Sequence, residues 1–206
     1  MRREHMKKIG IAIIAVVVIA AIASGAYILT QDDPPVNNGE DDLDYTEPVF
    51  TDHPVVLLGT SDWTDTIVDT LNKSTSKISI TENTDDLKNI EIGSLLFIDG
   101  YWLSSNGTSI QKVVNSLTDV FLKNIPIAMV GQTPYLLYAA IDEQIKGGKV
   151  TGYLKVNDEY RYSNGVAMQF DAAQSIIDVY EVSYKDNASG VGQRTTMLYN
   201  WSVARL

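Results

Sequence analysis

The chain has no cysteine. That excludes disulfides, thiolate nucleophiles, iron–sulfur clusters and cysteine-ligated zinc. Histidine is nearly as scarce, with only His5 and His53. The first precedes a long apolar segment and the second closes an acidic stretch. At most His53, at the very start of the expected domain, is available to it, so multi-histidine metal sites and histidine general-base catalysis lack their raw material. No Lys or Arg occurs between residues 9 and 52, and no basic stripe occurs later, so nucleic acid is not an expected partner. Neither G-x-G-x-x-G nor a Walker loop with its Lys-Ser/Thr is present. No motif calls for a cofactor or a metal.

What is present begins with Ile9–Leu29, IGIAIIAVVVIAAIASGAYIL, 21 residues without a charge. As a helix this run spans roughly 32 Å at ~1.5 Å per residue, against a hydrocarbon core of ~30 Å. A buried core helix would need a polar face, and this run has none. Residues 1–8 carry Arg2, Arg3, Lys7 and Lys8 against Glu4, and an acidic stretch follows the run. The positive-inside rule puts residues 1–8 in the cytoplasm and everything beyond about residue 30 outside it. The expected organisation is a basic stub at 1–8, a transmembrane signal anchor at 9–30, a linker at 31–52 and an extracytoplasmic domain at 53–206. The expected location is the cell membrane, crossed once. A cleaved secretory signal is the rival, with Ala21-Ile22-Ala23 as its small-residue site, but the run exceeds the usual h-region of ~7–15 residues.

Residues 31–52, QDDPPVNNGEDDLDYTEPVFTD, hold eight acids, three prolines and no basic residue. Like-charge repulsion and low apolarity predict an extended, disordered tether. Asp41, Asp42 and Asp44 do not have the spacing of an EF-hand loop. The folded remainder has twelve basic and seventeen acidic residues, so much of the acidity belongs to the tether.

From residue 54 the chain alternates between short apolar runs and helix-like stretches. Val55–Gly59, Ser94–Asp99 and Pro126–Gly131 are uniformly apolar, as strands buried on both faces are. Lys77–Thr81 alternates and reads as a fourth strand. Helices are expected at Trp63–Asn72, capped by Ser61 or Asp62, and from Gly107 or Thr108 to Lys123. A third should run from Pro134 to Ile145, with a short turn at Thr84–Lys88. Strand–helix alternation predicts an α/β fold with a Rossmann- or flavodoxin-like, mostly parallel sheet. After residue 149 the pattern becomes β-rich. Val150–Val156, Tyr160–Phe170, Ile177–Tyr184 and Thr196–Val203 read as strands, with a short helix at Asp171–Ile176. The last two strands would be joined by a hairpin connection at Lys185–Gly192, KDNASGVG, and this third would add antiparallel edge strands to the sheet.

Ligands in such folds bind beyond the carboxyl ends of the strands. That rule makes Thr60, Ser61, Asp62, Asp99, Tyr101, Trp102, Gln132 and Thr133 the rim candidates, with a small-molecule ligand as one occupant. Capping explains Ser61 and Asp62 more simply than a phosphate cradle does. Asp62 and Asp99 are the pair that could meet as carboxylates for a divalent metal or for acid–base work. Tyr101 and Trp102 are placed in a loop after the third strand, where aromatics either anchor a partner or fold back onto the sheet.

Gly131-Gln132-Thr133-Pro134 offers the strand–turn–helix setting of a nucleophile elbow. Pro126–Tyr138 is loosely similar to the corresponding stretch of class I glutamine-amidotransferase-like domains. Those enzymes place a cysteine at the turn and a histidine downstream. This chain has neither, so the resemblance implies an inactive site.

Four Asn-x-Ser/Thr sequons occur, at Asn72, Asn106, Asn187 and Asn200. The composition predicts ~2 by chance, so the excess fits an external, glycosylatable face. Asn72, Asn106 and Asn187 are the better candidates, because Asn200 falls in an expected strand. The reading is a membrane-anchored binding or accessory module of the cell envelope with a protein partner there. Its alternatives are a metal-dependent hydrolase or transferase using rim aspartates, and a structural assembly protein.

Overall fold

The computed structural model describes residues 45–105, 110–131, 137–138, 141–142, 145–147, 153–154, 163–171 and 176–206. The expected stub, membrane segment and most of the tether lie outside them. No helix among the described residues is long and apolar enough to cross a membrane.

The seven strands are β1 (Val55–Leu58), β2 (Ile78–Thr81), β3 (Leu95–Asp99), β4 (Ile127–Val130), β5 (Tyr153–Leu154), β6 (Gly165–Asp171) and β7 (Ile176–Val182). They form one sheet in the order β2-β1-β3-β4-β6-β7-β5. Pairing is parallel from β2 through β4 and between β5 and β7, and antiparallel on both sides of β6. β6 alone therefore runs against the other six. The fold is mixed α/β with a mostly parallel sheet. The expected antiparallel edge is corrected by the pairing: β6 is interior, between β4 and β7.

Helices α1 (Thr64–Leu71), α2 (Gly100–Ser105), α3 (Ile110–Leu122) and α4 (Ala188–Val203), with a 3₁₀ turn at Thr84–Asn89, complete the described elements. Residues 137–138, 141–142 and 145–146 are helical too. Two apolar layers follow from the alternation of side chains along the strands. On one face Leu58, Leu96, Ile98 and Met129 pack with Val113, Leu117 and Phe121 of α3 and with Leu137 and Ile141. On the other, Leu57, Phe97 and Val130 pack with Ile67 and Leu71 of α1 and with Val191, Met197 and Leu198 of α4. All the residues of β3 and β4 are buried, which is why both read as unbroken apolar runs.

The strand expected at Thr196–Val203 is instead the second half of α4, and the expected hairpin connection is its start. Asn187 caps this helix, its side chain accepting from the Gly190 amide. The run Met197, Tyr199, Trp201, Val203 alternates by coincidence. From Arg194 to Ser202 every residue is buried, because one side of α4 faces the sheet and another is covered by the start of the domain. The Asn200 amide donates to the carbonyls of Tyr45 and Glu47, and the Gln193 amide to that of Thr46. The Tyr45 ring packs edge-on against Tyr180, which stacks on Trp201. Residues 45–52, expected in the tether, thus lie on the domain, with the Thr51 and Asp52 amides donating to the Ser74 carbonyl. Of the short helix expected at 171–176, both end residues are in strands and 172–175 lie outside the described residues.

Candidate functional site

The strand order reverses at β1, whose neighbours β2 and β3 follow it in turn on opposite sides. In open α/β sheets the crevice beyond the carboxyl ends at such a point is the usual ligand position. Among the described residues, two of the chain's own aromatic side chains pack against the strand ends there. β1 ends at Gly59, with φ +97°, and a Cβ there would lie 2.5 Å from the Trp102 ring. β4 ends at Gly131, with φ +116°, and a Cβ there would lie 2.8 Å from the Tyr101 ring. Two successive aromatics on α2 therefore lie close against the two glycines that follow β1 and β4. Tyr101 and Trp102 were expected in a loop; they are helical, and Trp102 is buried.

Asp99 explains why α2 starts where it does. Its Oδ1 accepts from the amides of Tyr101 and Trp102, both at 3.0 Å, which is N-capping by an aspartate. Its Oδ2 accepts from the Ser61 hydroxyl at 2.7 Å and the Thr64 hydroxyl at 3.4 Å. The fully buried carboxylate thus has four donors from its own chain and ties the β1–α1 turn to α2. Ser61 also accepts from the Trp63 amide, and its own amide donates to the Thr64 hydroxyl. Asp62, expected as a cap or as a partner for Asp99, is exposed at the turn, and α1 begins without a side-chain cap. Thr60 is exposed and donates to the Glu82 carboxylate. Gln132 and Thr133 lie outside the described residues. Of the eight candidates, the structure brings together Ser61, Asp99, Tyr101 and Trp102, in packing and capping roles.

Two further polar clusters escaped the sequence reading. The Arg194 side chain is wholly buried beneath the rim. Its Nη1 donates to the Tyr184 carbonyl at 2.6 Å, and its Nη2 to the Tyr101 hydroxyl at 2.6 Å and the Asp186 carboxylate at 2.7 Å. Tyr101 in turn donates to Asp186 at 2.7 Å, and the Asn164 amide bonds the Tyr184 carbonyl and Asp186. Burial raises the Tyr101 phenol above its ordinary pKa, opposed by Arg194 and reinforced by Asp186. It therefore stays protonated as a donor and cannot serve as a base near neutrality. The signal for Arg194 was its isolation: it is the only charge between Asn187 and Ala204, and a lone charge in a buried stretch must be paired.

The second cluster is on the opposite face. Glu181 of β7 is buried and accepts from the Tyr138 hydroxyl. Burial pushes its carboxyl up to about 7, against the lowering effect of the hydrogen bond from Tyr138. The Tyr138 phenol is raised as well, by burial and by Glu181.

His53 stands at the other end of the sheet, where its Nδ1 donates to the Gly93 carbonyl. Among the described residues no group of three or more His, Cys, Asp or Glu is arranged to hold a metal. Of the sequons, Asn72 and Asn187 are exposed, Asn200 is buried in α4, and Asn106 lies outside the described residues. Comparison with protein-family models, with curated proteins and with solved structures finds no match to this chain.

Proposed function

We propose that this chain is a single-pass membrane protein carrying a non-catalytic binding or accessory domain on the outer side of the cell membrane. The observation that carries the reading is the uncharged run Ile9–Leu29, with basic residues before it and acidic residues after it. We read the fold as Rossmann- or flavodoxin-like, which the strand order β2-β1-β3-β4 supports. The non-catalytic part rests on the rim. Asp99 is occupied by four donors that shape the turn and the helix, and Tyr101 and Trp102 pack against the strand ends where a ligand would bind. The expected partner is a protein of the envelope.

The test is membrane fractionation of the full chain. An integral protein stays in the pellet through alkaline carbonate, and deletion of residues 9–29 releases it. Extraction of the full chain by carbonate would refute the anchor. A divalent-metal thermal shift abolished by Asp62→Asn or Asp99→Asn would instead favour the metal-dependent hydrolase.

A further inference from the structure

We propose that the amino-terminal edge of the sheet is a membrane-docking surface that rests on a zwitterionic lipid interface. The proposal deepens the anchored reading above and depends on it. Among the described residues six large apolar side chains are exposed, and five stand at this edge: Val49 (52%), Phe50 (64%), Ile92 (80%), Leu122 (67%) and Leu206 (46%). The sixth, Ile80, lies on the sheet-edge strand β2. Backbone bonds fix the location. Val49 and Phe50 lead into Thr51 and Asp52, held by Ser74 just ahead of β2. Ile92 is in the turn before β3, and Leu122 closes α3 just before β4. Leu206 follows Arg205, whose carbonyl shares the Gln169 amide with that of Asn124, in the α3–β4 turn. Among the described residues at the opposite edge, Trp102 and Tyr101 turn inward onto Gly59 and Gly131.

Single exposed apolar residues are ordinary on a protein surface, but their gathering at one end is informative. The occupant is argued from the chain itself. Fifteen residues, 30–44, separate the apolar run from Tyr45, where the docked residues begin. A chain of that length reaches at most ~54 Å even when fully extended. It would hold the domain at an effective concentration on the order of millimolar at a bilayer, so a weak intrinsic affinity suffices. The charge at this edge is mixed: Lys73, Lys77, Lys123 and Arg205 stand there with Asp52 and Glu91, and Lys77 pairs with Asp52 at 2.9 Å. Long basic stems can lie along an interface with their heads in water. The acids of residues 31–44 outweigh the slight basic excess of this edge and disfavour anionic lipid.

The cysteine-free chain makes the test clean. Phe50→Cys, Ile92→Cys and Leu122→Cys would each carry a bimane label at this edge, and Asp62→Cys and Asp65→Cys at the opposite one. The full chain is reconstituted in phosphatidylcholine vesicles containing a shallow spin-labelled lipid. The proposal expects lipid quenching at 50, 92 and 122, none at 62 and 65, and no gain when phosphatidylserine is added. Equal, weak quenching at both edges, in a chain that still floats with the vesicles and resists carbonate, overturns docking and leaves the anchor standing. A chain that does not float overturns the anchor, and docking with it. Labels at 50, 92 and 122 that are shielded from aqueous iodide but unquenched by lipid, increasingly so at high protein-to-lipid ratio, would assign this edge to a second copy and refute the proposal.

Discussion

Replacing Glu181 with glutamine should flatten the dependence of stability on pH. Glu181 is buried, with its carboxyl raised to about 7 from 4.5. The folded state therefore holds this proton more tightly than the unfolded chain does. The stabilisation is fully present below about pH 4.5 and is lost as pH rises through 7, because the unfolded chain ionises freely while the folded one must bury a charge. The rise from 4.5 to about 7, at ~1.4 kcal/mol for each tenfold change in proton affinity, sets a ceiling of about 3.5 kcal/mol. Glutamine keeps a carbonyl oxygen for the Tyr138 hydroxyl and never ionises. It also brings an amide N–H₂ that needs a partner, at a cost of about 1–2 kcal/mol at every pH. The assay is thermal unfolding of the full chain in detergent, followed by tryptophan fluorescence from pH 4.5 to 8.5. Domains of this size move roughly 2–4 °C per kcal/mol. Between pH 5 and 8 the difference in Tm should therefore swing in favour of the variant by several degrees. Parallel curves for the two proteins would refute the reasoning.

Four further outcomes follow from the packing. Gly59→Ala should cost about 3 kcal/mol or more, since it adds a collision with the Trp102 ring to a left-handed φ. Gly93→Ala, with φ +87° and open space, should cost only about 1 kcal/mol by chemical denaturation. Arg194→Met should cost about 3–5 kcal/mol by the same measurement, because Asp186 and the Tyr184 carbonyl lose a buried donor, and Arg194→Lys should not rescue it. Asn200→Ala frees the carbonyls of Tyr45 and Glu47, so limited proteolysis should cut within residues 45–52 faster than in the parent chain. Peptide mapping of glycosylated material should find sugar at Asn72 or Asn187 and none at the buried Asn200; a glycan at Asn200 would contradict its burial.

β1, β3 and β4 were legible because burial on both faces leaves an unbroken apolar signature, β2 because it alternates, and α3 because it carries one apolar face. α4 was not, because its polar residues are buried as fully as its apolar ones. Thr195 bonds back to the Val191 carbonyl, Asn200 reaches Tyr45 and Glu47, and Arg194 reaches Tyr101 and Asp186, so hydrophobic period carries little information there. α2 is only six residues long, and its start is set by Asp99. An aspartate at the end of a strand was read among possible ligand contacts, whereas capping is its observed role. The Glu181–Tyr138 contact joins residues 43 positions apart, a pairing that local pattern does not encode.

The most direct test of the anchored, outward-facing reading is chemical labelling of Asp62→Cys in intact cells with a membrane-impermeant maleimide. The chain has no other cysteine, and Asp62 is exposed. The account predicts full labelling without permeabilisation, while Met6→Cys on the basic stub reacts only after the membrane is opened. The reverse pattern, or labelling of neither position until permeabilisation, would contradict it.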